Sequence, residues 1–229
     1  MYKRQDQAIS HQSQRLDIYQ EELNRLIDAR QAFACDCSRQ RIKSIGGNYD
    51  GYCRERSLDF DKNTATRVRW NQDIQWHDLV LGPQAFSPQT NGGDFVIKRR
   101  DGLFSYQLAV AIDDSLQKIT QVIRGEDLLD STARQIHLQQ SLKLSSPEYG
   151  HLPTLKEKSG QKLSKQNYAT PLDNNNASAN LVLALQVLGQ TTEPDLSKET
   201  PESILTIAAK RWHREQVPTS SAYIEDYAH

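Results

Sequence analysis

The sequence predicts an α/β fold: a parallel-sheet core with a separate cysteine-bearing insertion and a short helical C-terminal region. Three observations predict it. Between residues 101 and 153, short apolar segments alternate with a helical pattern, as strands joined by crossover helices do. All three cysteines crowd into residues 35–53, around a glycine-rich turn. From residue 181, two apolar stripes recur at helical spacing.

The chain has 229 residues, enough for one large domain or two small ones. Its 28 basic and 29 acidic residues exclude a global field that would steer nucleic acid, while leaving room for a local basic face. No run is long and apolar enough to span a membrane, and the polar start, Met1–Asp6, lacks the apolar core of a signal peptide. The expected address is the cytoplasm, with no membrane partner. An odd number of cysteines makes no disulfide framework.

Residues 10–30 predict an amphipathic helix with Leu16, Tyr19, Leu23, Leu26 and Ile27 on one stripe. That stripe needs a sheet or helices that the preceding residues cannot supply. Next come Cys35-Asp36-Cys37 and Ser44-Ile45-Gly46-Gly47-Asn48-Tyr49-Asp50-Gly51-Tyr52-Cys53. Three thiols across such a turn can converge on one tetrahedral metal centre. No histidine lies nearby, so Tyr49, Asp50 or Tyr52 would be the fourth ligand. The competing reading is three reduced cysteines buried as small hydrophobes, which Cys-x-Cys in a polar loop fits poorly. Arg39, Arg41, Lys43, Arg54 and Arg56 form either a phosphate-contacting patch or a solvated face. Residues 64–70 and 94–99 predict strands, and Gly82-Pro83 and 87–93 are turn-rich. Residues 33–100 read as an excursion from a larger α/β domain.

Beyond it, Asp101-Gly102 is a turn and Tyr106–Ile112 is apolar. Lys118–Ile123 predicts a short buried strand that stops at Arg124. A helix follows, capped by Asp130 or Ser131, with Ile136 and Leu142 facing inward. Ligands of parallel sheets bind beyond the carboxyl ends of strands, where Arg124 sits. A guanidinium there suits a carboxylate; the alternative is an ion pair with Glu126 or Asp127. In Gly160–Asn167, Lys162 and Lys165 bracket a Leu-Ser pair. They read as point charges on a mobile loop that could follow a polyphosphate, or as a solvated turn. Leu181, Val182, Leu185 and Leu188 form a helical stripe ended by Gly189. Thr200-Pro201 opens a second helix, with Ile204, Leu205, Ala208 and Trp212 inward, and the polar C-terminus is expected to fray.

Three stretches, taken in order, resemble the catalytic core of the glutamyl-tRNA synthetases, a class I aminoacyl-tRNA synthetase family. They are Asp101-Gly102-Leu103-Phe104-Ser105-Tyr106-Gln107-Leu108-Ala109, Val122-Ile123-Arg124-Gly125-Glu126-Asp127-Leu128-Leu129-Asp130-Ser131-Thr132-Ala133-Arg134-Gln135, and Lys162-Leu163-Ser164-Lys165-Gln166. The last is similar to the family's KMSKS loop, with Leu for Met and Gln for the final Ser. Within the family, the cysteine motif, the form Lys-Leu-Ser-Lys-Gln-Asn and the short tail after it resemble the truncated paralogues that glutamylate queuosine in tRNA(Asp).

The resemblance implies a partial Rossmann-like catalytic core in four parts. These are a remnant helix of the N-terminal Rossmann half (1–32), an inserted zinc-binding module (33–100), a second Rossmann half with the KMSKS-like loop (101–170) and a helical C-terminal region (171–229). It implies Tyr106 and Arg124 as the L-glutamate site, Lys165 as the ATP site aided by Lys162, and Mg2+ accompanying ATP. Cys35, Cys37, Tyr49 and Cys53 would hold a structural Zn2+, because four protein ligands leave no open position. The implied reaction is ATP-dependent activation of glutamate and transfer to queuosine at the wobble position of tRNA(Asp), by a monomer. The family's first strand and its HIGH-type motif have no counterpart: His11, His77, His137, His151, His213 and His229 all lack that context. The chain is therefore expected to be N-terminally truncated and catalytically incompetent alone, its first helix having lost the sheet it packs on. Two alternatives stay open, a fragment of an enzyme charging tRNA(Glu) and a non-catalytic zinc module that binds RNA.

Overall fold

The computed structural model describes residues 8–157, 159, 163 and 171–224. The chain divides into two units, one built from Met1–Trp76, Ala85–Thr120 and Asp130–Pro147, the other from His77–Gln84, Gln121–Leu129 and Glu148–His229.

In the first unit, helix α1 (Leu16–Asp28) follows a single 3-10 turn at Gln12–Gln14. It is shorter than the expected 10–30. Tyr19, Leu23 and Leu26 are buried, whereas Leu16 is exposed. The stripe finds its partner in an element later in the chain. Helix α3 (Tyr106–Leu116), capped by the Ser105 hydroxyl, buries Leu108, Ala109 and Ile112 and packs against α1. Asp113 of α3 locks the pair: it accepts from the Tyr19 hydroxyl at 2.8 Å and the Gln12 amide at 3.2 Å, and Arg15 Nε lies 3.0 Å away.

Strands β1 (Ala32–Cys35), β2 (Ala65–Val68) and β5 (Phe95–Lys98) form an antiparallel sheet in the order β1-β2-β5, so the strands expected at 64–70 and 94–99 are present with tighter bounds. Between them the turn-rich reading missed a two-stranded ribbon, β3 (Ile74–Asp78) and β4 (Gly82–Phe86). Short helix α2 (Arg39–Ser44) is capped by Ser38, whose hydroxyl accepts from Arg41 N at 3.1 Å. Helix α4 (Leu129–Leu142) buries Ile136 and Leu142 as expected. Its start does not match. A 3-10 turn at Glu126–Leu128 leads directly into it from Gly125, so Asp130 and Ser131 lie inside the first turn and cap nothing.

In the second unit, β6 (Gln121–Gly125) and β7 (Glu148–Leu152) pair in parallel, with Arg124 opposite His151. Strand, helix and strand thus follow one another along the chain as the alternation predicted. Two details are corrected. Strand β6 begins three residues late, because Lys118 adopts a left-handed φ of 55° that terminates α3. It is also not buried: Ile123 is 50% exposed, and among the described residues this sheet has two strands. Strands β8 (Leu155–Lys156) and β9 (Ala222–Tyr223) form a second parallel pair. Helices α5 (Ala177–Val187) and α6 (Pro201–Lys210) pack together, with Val187 and Ile204 buried. Thr200 caps α6 as expected, but Leu205 is exposed and Trp212 lies beyond the helix end, 40% exposed. Among the described residues α6 is covered on its Ile204 side, and Leu205 and Trp212 do not face inward. Among the described residues, no helix is long and apolar enough to cross a membrane.

Gly189 ends α5 in a Schellman motif, with Gly189 N bonded to Gln186 O and Gln190 N to Leu185 O. Its φ is +69°, and an added Cβ would collide with the Gln216 carbonyl. Gly189→Ala should therefore lower unfolding stability by about 2 kcal/mol or more in denaturant titration, and an unchanged midpoint would refute the steric argument. A second expectation concerns pH. Burial and the bond to Asp113 push the Tyr19 phenol up to about 12 from 10. The native state keeps this proton where the unfolded chain loses it, so the contribution is intact below pH 10 and is lost between 10 and 12. Over that range the wild type should lose about 2 to 3 kcal/mol more than Tyr19→Phe. Parallel pH–stability curves for the two would disprove it.

Candidate functional site

Cys35 ends β1, Cys37 lies two residues on, and Cys53 is carried by the turn after α2. Their three sulfurs lie within 4.8 Å of one another, with Cys37 and Cys53 Sγ 3.5 Å apart. Tyr49 joins them: its hydroxyl oxygen is 3.8 Å from Cys35 Sγ and accepts from Cys53 N at 2.7 Å. Local structure fixes that ring. It stacks on Phe33, with centroids 6.1 Å apart, and its backbone N–H bonds Gly92 O at 3.2 Å. Gly93, at φ +63°, passes so close that a Cβ would sit 2.8 Å from Tyr49 O. The other two candidates for a fourth ligand are engaged elsewhere. Asp50 grips Arg41 through both oxygens, at 3.1 and 2.6 Å. Tyr52 is exposed, with the guanidiniums of Arg41 and Arg56 against its ring, 4.4 and 4.8 Å from the centroid.

Each sulfur also faces a different arginine: Arg67 Nε is 3.3 Å from Cys35, Arg41 3.6 Å from Cys37 and Arg56 3.5 Å from Cys53. Burial opposes ionisation of Cys35, but bonds from Cys37 N and Arg67 outweigh it and hold that thiol below its ordinary value. Burial and the neighbouring sulfurs push Cys37 up to about 12, and burial raises the Tyr49 phenol as well. Four acidic donors at this spacing cannot all ionise without a cation among them. Three soft sulfurs and one oxygen in tetrahedral number are the donor set of a zinc-type metal, so the residues fit such a group.

Of the surrounding cations, Arg54 is committed to structure. It bonds the buried Asp94 through two nitrogens, at 2.6 and 2.5 Å. Arg56 pairs with Asp36 at 2.7 Å. Arg39 and Lys43 line a broad cleft of about 1170 Å³ together with Arg99 and Arg100.

The second constellation sits in the parallel pair. Arg124 lies near the carboxyl end of β6, its guanidinium 5.3 Å from the Tyr149 ring centroid. Its Nε is 3.4 Å from His151 Nε2, and His151 Nδ1 lies 2.5 Å from Asp78 Oδ2. The histidine and the carboxylate are fully buried. Burial would raise the Asp78 carboxyl, but the Leu81, His151 and Val80 amides and the imidazole hold it below the usual carboxylate range. Sequence reasoning passed over Asp78 and His151, which meet across 73 residues with no local signal. Their one trace is the alternation Tyr149, His151 on β7, which places both beside Arg124.

Tyr106 is the first residue of α3, 46% exposed, and belongs to the first unit, whereas Arg124 belongs to the second. Lys162 and Lys165 lie outside the described residues.

Comparison with known proteins agrees with this architecture. Residues 2–189 match the family model of class I tRNA synthetases (E and Q), catalytic domain. A glutamyl-Q tRNA(Asp) synthetase from Pseudomonas putida KT2440 is 40% identical over 213 residues, 93% of this chain and 71% of that protein. One from Shigella flexneri is 42% identical over 217 residues, covering 94% and 70%. Among solved structures, the glutamate-tRNA synthetase of Elizabethkingia anophelis superposes with a TM-score of 0.69 at 22% identity, over 93% of this chain and 51% of that one. A glutamate tRNA ligase from Elizabethkingia meningosepticum, in complex with its amino acid, gives 0.70 at 22% identity, over 96% and 52%. The chain thus spans about half the length of these two and shares their fold. It belongs to the family of class I tRNA synthetases of the E and Q type, within their catalytic domain.

Proposed function

We propose that this protein activates L-glutamate with ATP and transfers the glutamyl group to queuosine at the wobble position of tRNA(Asp). The identity of 40 to 42% to bacterial proteins named for that reaction carries the reading. The geometry supports it: a guanidinium near a parallel-strand end suits a substrate that bears carboxylates. In this reading Arg124 and Tyr106 bind glutamate, and Lys162 and Lys165 counter charge on the phosphates of ATP, which enters with Mg2+. A glutamate carboxylate oxygen attacks the α-phosphorus, pyrophosphate leaves, and glutamyl-adenylate forms. A hydroxyl of the queuosine cyclopentene ring then attacks the acyl carbon, loses its proton and releases AMP. The residues contribute alignment and charge stabilisation. The enzyme acts as a cytoplasmic monomer in which residues 33–100 serve as an inserted module steadied by Zn2+ on Cys35, Cys37, Tyr49 and Cys53. When bound, the ion would supply structural cross-linking of that loop, with no open position for chemistry.

The metal assignment has a direct test. Tyr49→Phe should weaken zinc retention against a chelator by more than about tenfold, while Asp50→Ala keeps the wild-type stoichiometry. The reverse pattern would move the fourth ligand to Asp50. For the reaction, labelled glutamate and ATP are given to the protein with tRNA(Asp), with and without queuosine. Label should enter the queuosine-containing tRNA alone. Label in tRNA(Glu) instead would make the protein an ordinary charging enzyme.

A further inference from the structure

Arg124 is one end of a buried relay. Asp78 Oδ1 accepts from Val80 N, Leu81 N and His151 N, each at 3.0 Å, which saturates that oxygen and leaves Oδ2 to the His151 ring at 2.5 Å. A carboxylate at that distance from Nδ1 fixes the tautomer, with the proton on Nδ1 and a bare lone pair on Nε2. Nε2 then faces the Arg124 Nε–H at 3.4 Å. Tyr149 completes the setting: its ring lies 20° from the His151 plane, with the Arg124 carbon 5.3 Å from its centroid. Arg124 and His151 are held side by side by the strand register.

We infer that Asp78 and His151 are positioning residues that orient the Arg124 guanidinium for a carboxylate of the amino-acid substrate. The inference rests on the assignment of Arg124 to glutamate made above. The His151 imidazole stands between the Arg124 guanidinium and the Asp78 carboxylate and transmits the orientation from one to the other. The fully buried carboxylate supplies rigidity, because its other oxygen is tied to three backbone amides. Removing the relay leaves the charge of Arg124 intact and loosens its plane. This differs from losing Arg124 itself.

The test separates the relay from the assignment on which it rests. Asp78→Asn keeps the Oδ1 acceptor for the three amides and replaces Oδ2 by a donor, which forces the opposite tautomer and sets two N–H groups against each other. His151→Leu removes the acceptor, and His151→Gln supplies one close to the Nε2 position. Nitrogen NMR of His151 should show Nδ1 protonated and Nε2 bare in the wild type, and the reverse in Asp78→Asn. Calorimetry with L-glutamate on the full-length protein should show affinity falling about 10- to 100-fold in Asp78→Asn and His151→Leu, with His151→Gln within about threefold of wild type. ATP affinity should be unchanged in all three. A wild-type His151 protonated on Nε2 overturns the relay. Unaltered glutamate affinity in Asp78→Asn and His151→Leu overturns it too, provided Arg124→Ala abolishes binding. Parallel losses of glutamate and ATP affinity would reduce both residues to structural roles. Unaltered binding in Arg124→Ala overturns the glutamate assignment and the purpose given to the relay, while the NMR result still reports whether the brace exists.

Discussion

A carboxylate taken out of water costs several kcal/mol unless donors surround it, and among the described residues three buried aspartates are surrounded in this way. Asp113, Asp94 and Asp78 are all buried, and each joins segments far apart in sequence. Asp113 ties α1 to α3 across 94 residues through Tyr19. Asp94 gathers Arg54 from 40 residues away and also accepts from Trp70 N at 2.9 Å. Asp78 fastens the tip of the β3–β4 ribbon to β7 across 73 residues. Apolar burial is non-directional and would tolerate a slide of one element along another. A carboxylate with two to four directed donors does not. Each junction therefore sets a register as well as a contact, and removing one partner leaves a buried charge without compensation.

This explains which features could be read in the sequence. Local signals were reliable: Thr200-Pro201 opens α6, Gly189 closes α5, and the cysteine spacing marks a real cluster. Each depends on backbone geometry or chain closure over a few residues. The errors share the opposite cause. The ribbon at 74–86 was masked by Gly82-Pro83, which sits at the start of β4 rather than outside a strand. Ile123 and Leu205 are apolar and yet exposed, because among the described residues a two-stranded sheet and a helix covered on one side bury less than periodicity assumes. The carboxylate junctions carry no pattern at all, since an aspartate destined for the interior looks like any other. Tyr49 could be named by resemblance and not by spacing. In the structure Phe33, Gly92 and Gly93 hold its ring toward the sulfurs, while arginines occupy Asp50 and Tyr52.

The same arginines bear on the charge of the cluster. Three thiolates and a phenolate around a divalent cation would carry a net formal charge of minus two, in a partly buried place. Three guanidiniums, one directed at each sulfur, offset it. Arg41 and Arg56 are in turn held by Asp50 and Asp36, which fixes their direction and dilutes their charge. Outer partners of this kind commonly tune what the ligands themselves can bind. They also reduce the number of cations that an RNA backbone could use there, moving any phosphate contact toward Arg39, Lys43, Arg99 and Arg100 along the open cleft.

A related economy operates at Arg124. An arginine side chain carries about 2 kcal/mol of rotamer entropy, which a ligand must overcome when it recruits a freely moving guanidinium. For chemistry whose catalysis is mainly alignment, an error of about 1 Å can cost a hundredfold in rate, so the order must exist before the substrate arrives. Bracing Nε against a histidine whose own tautomer is fixed moves the ordering into folding, where the backbone amides around Asp78 already supply it. Lysine could not be held in this way: its single ammonium offers no Nε to grip and no plane to orient. The residue type at 124, the parallel strand that carries it and the buried acid 46 residues earlier are therefore parts of one constraint. In the proposed reading, that constraint suits a substrate bearing a planar, bidentate anion.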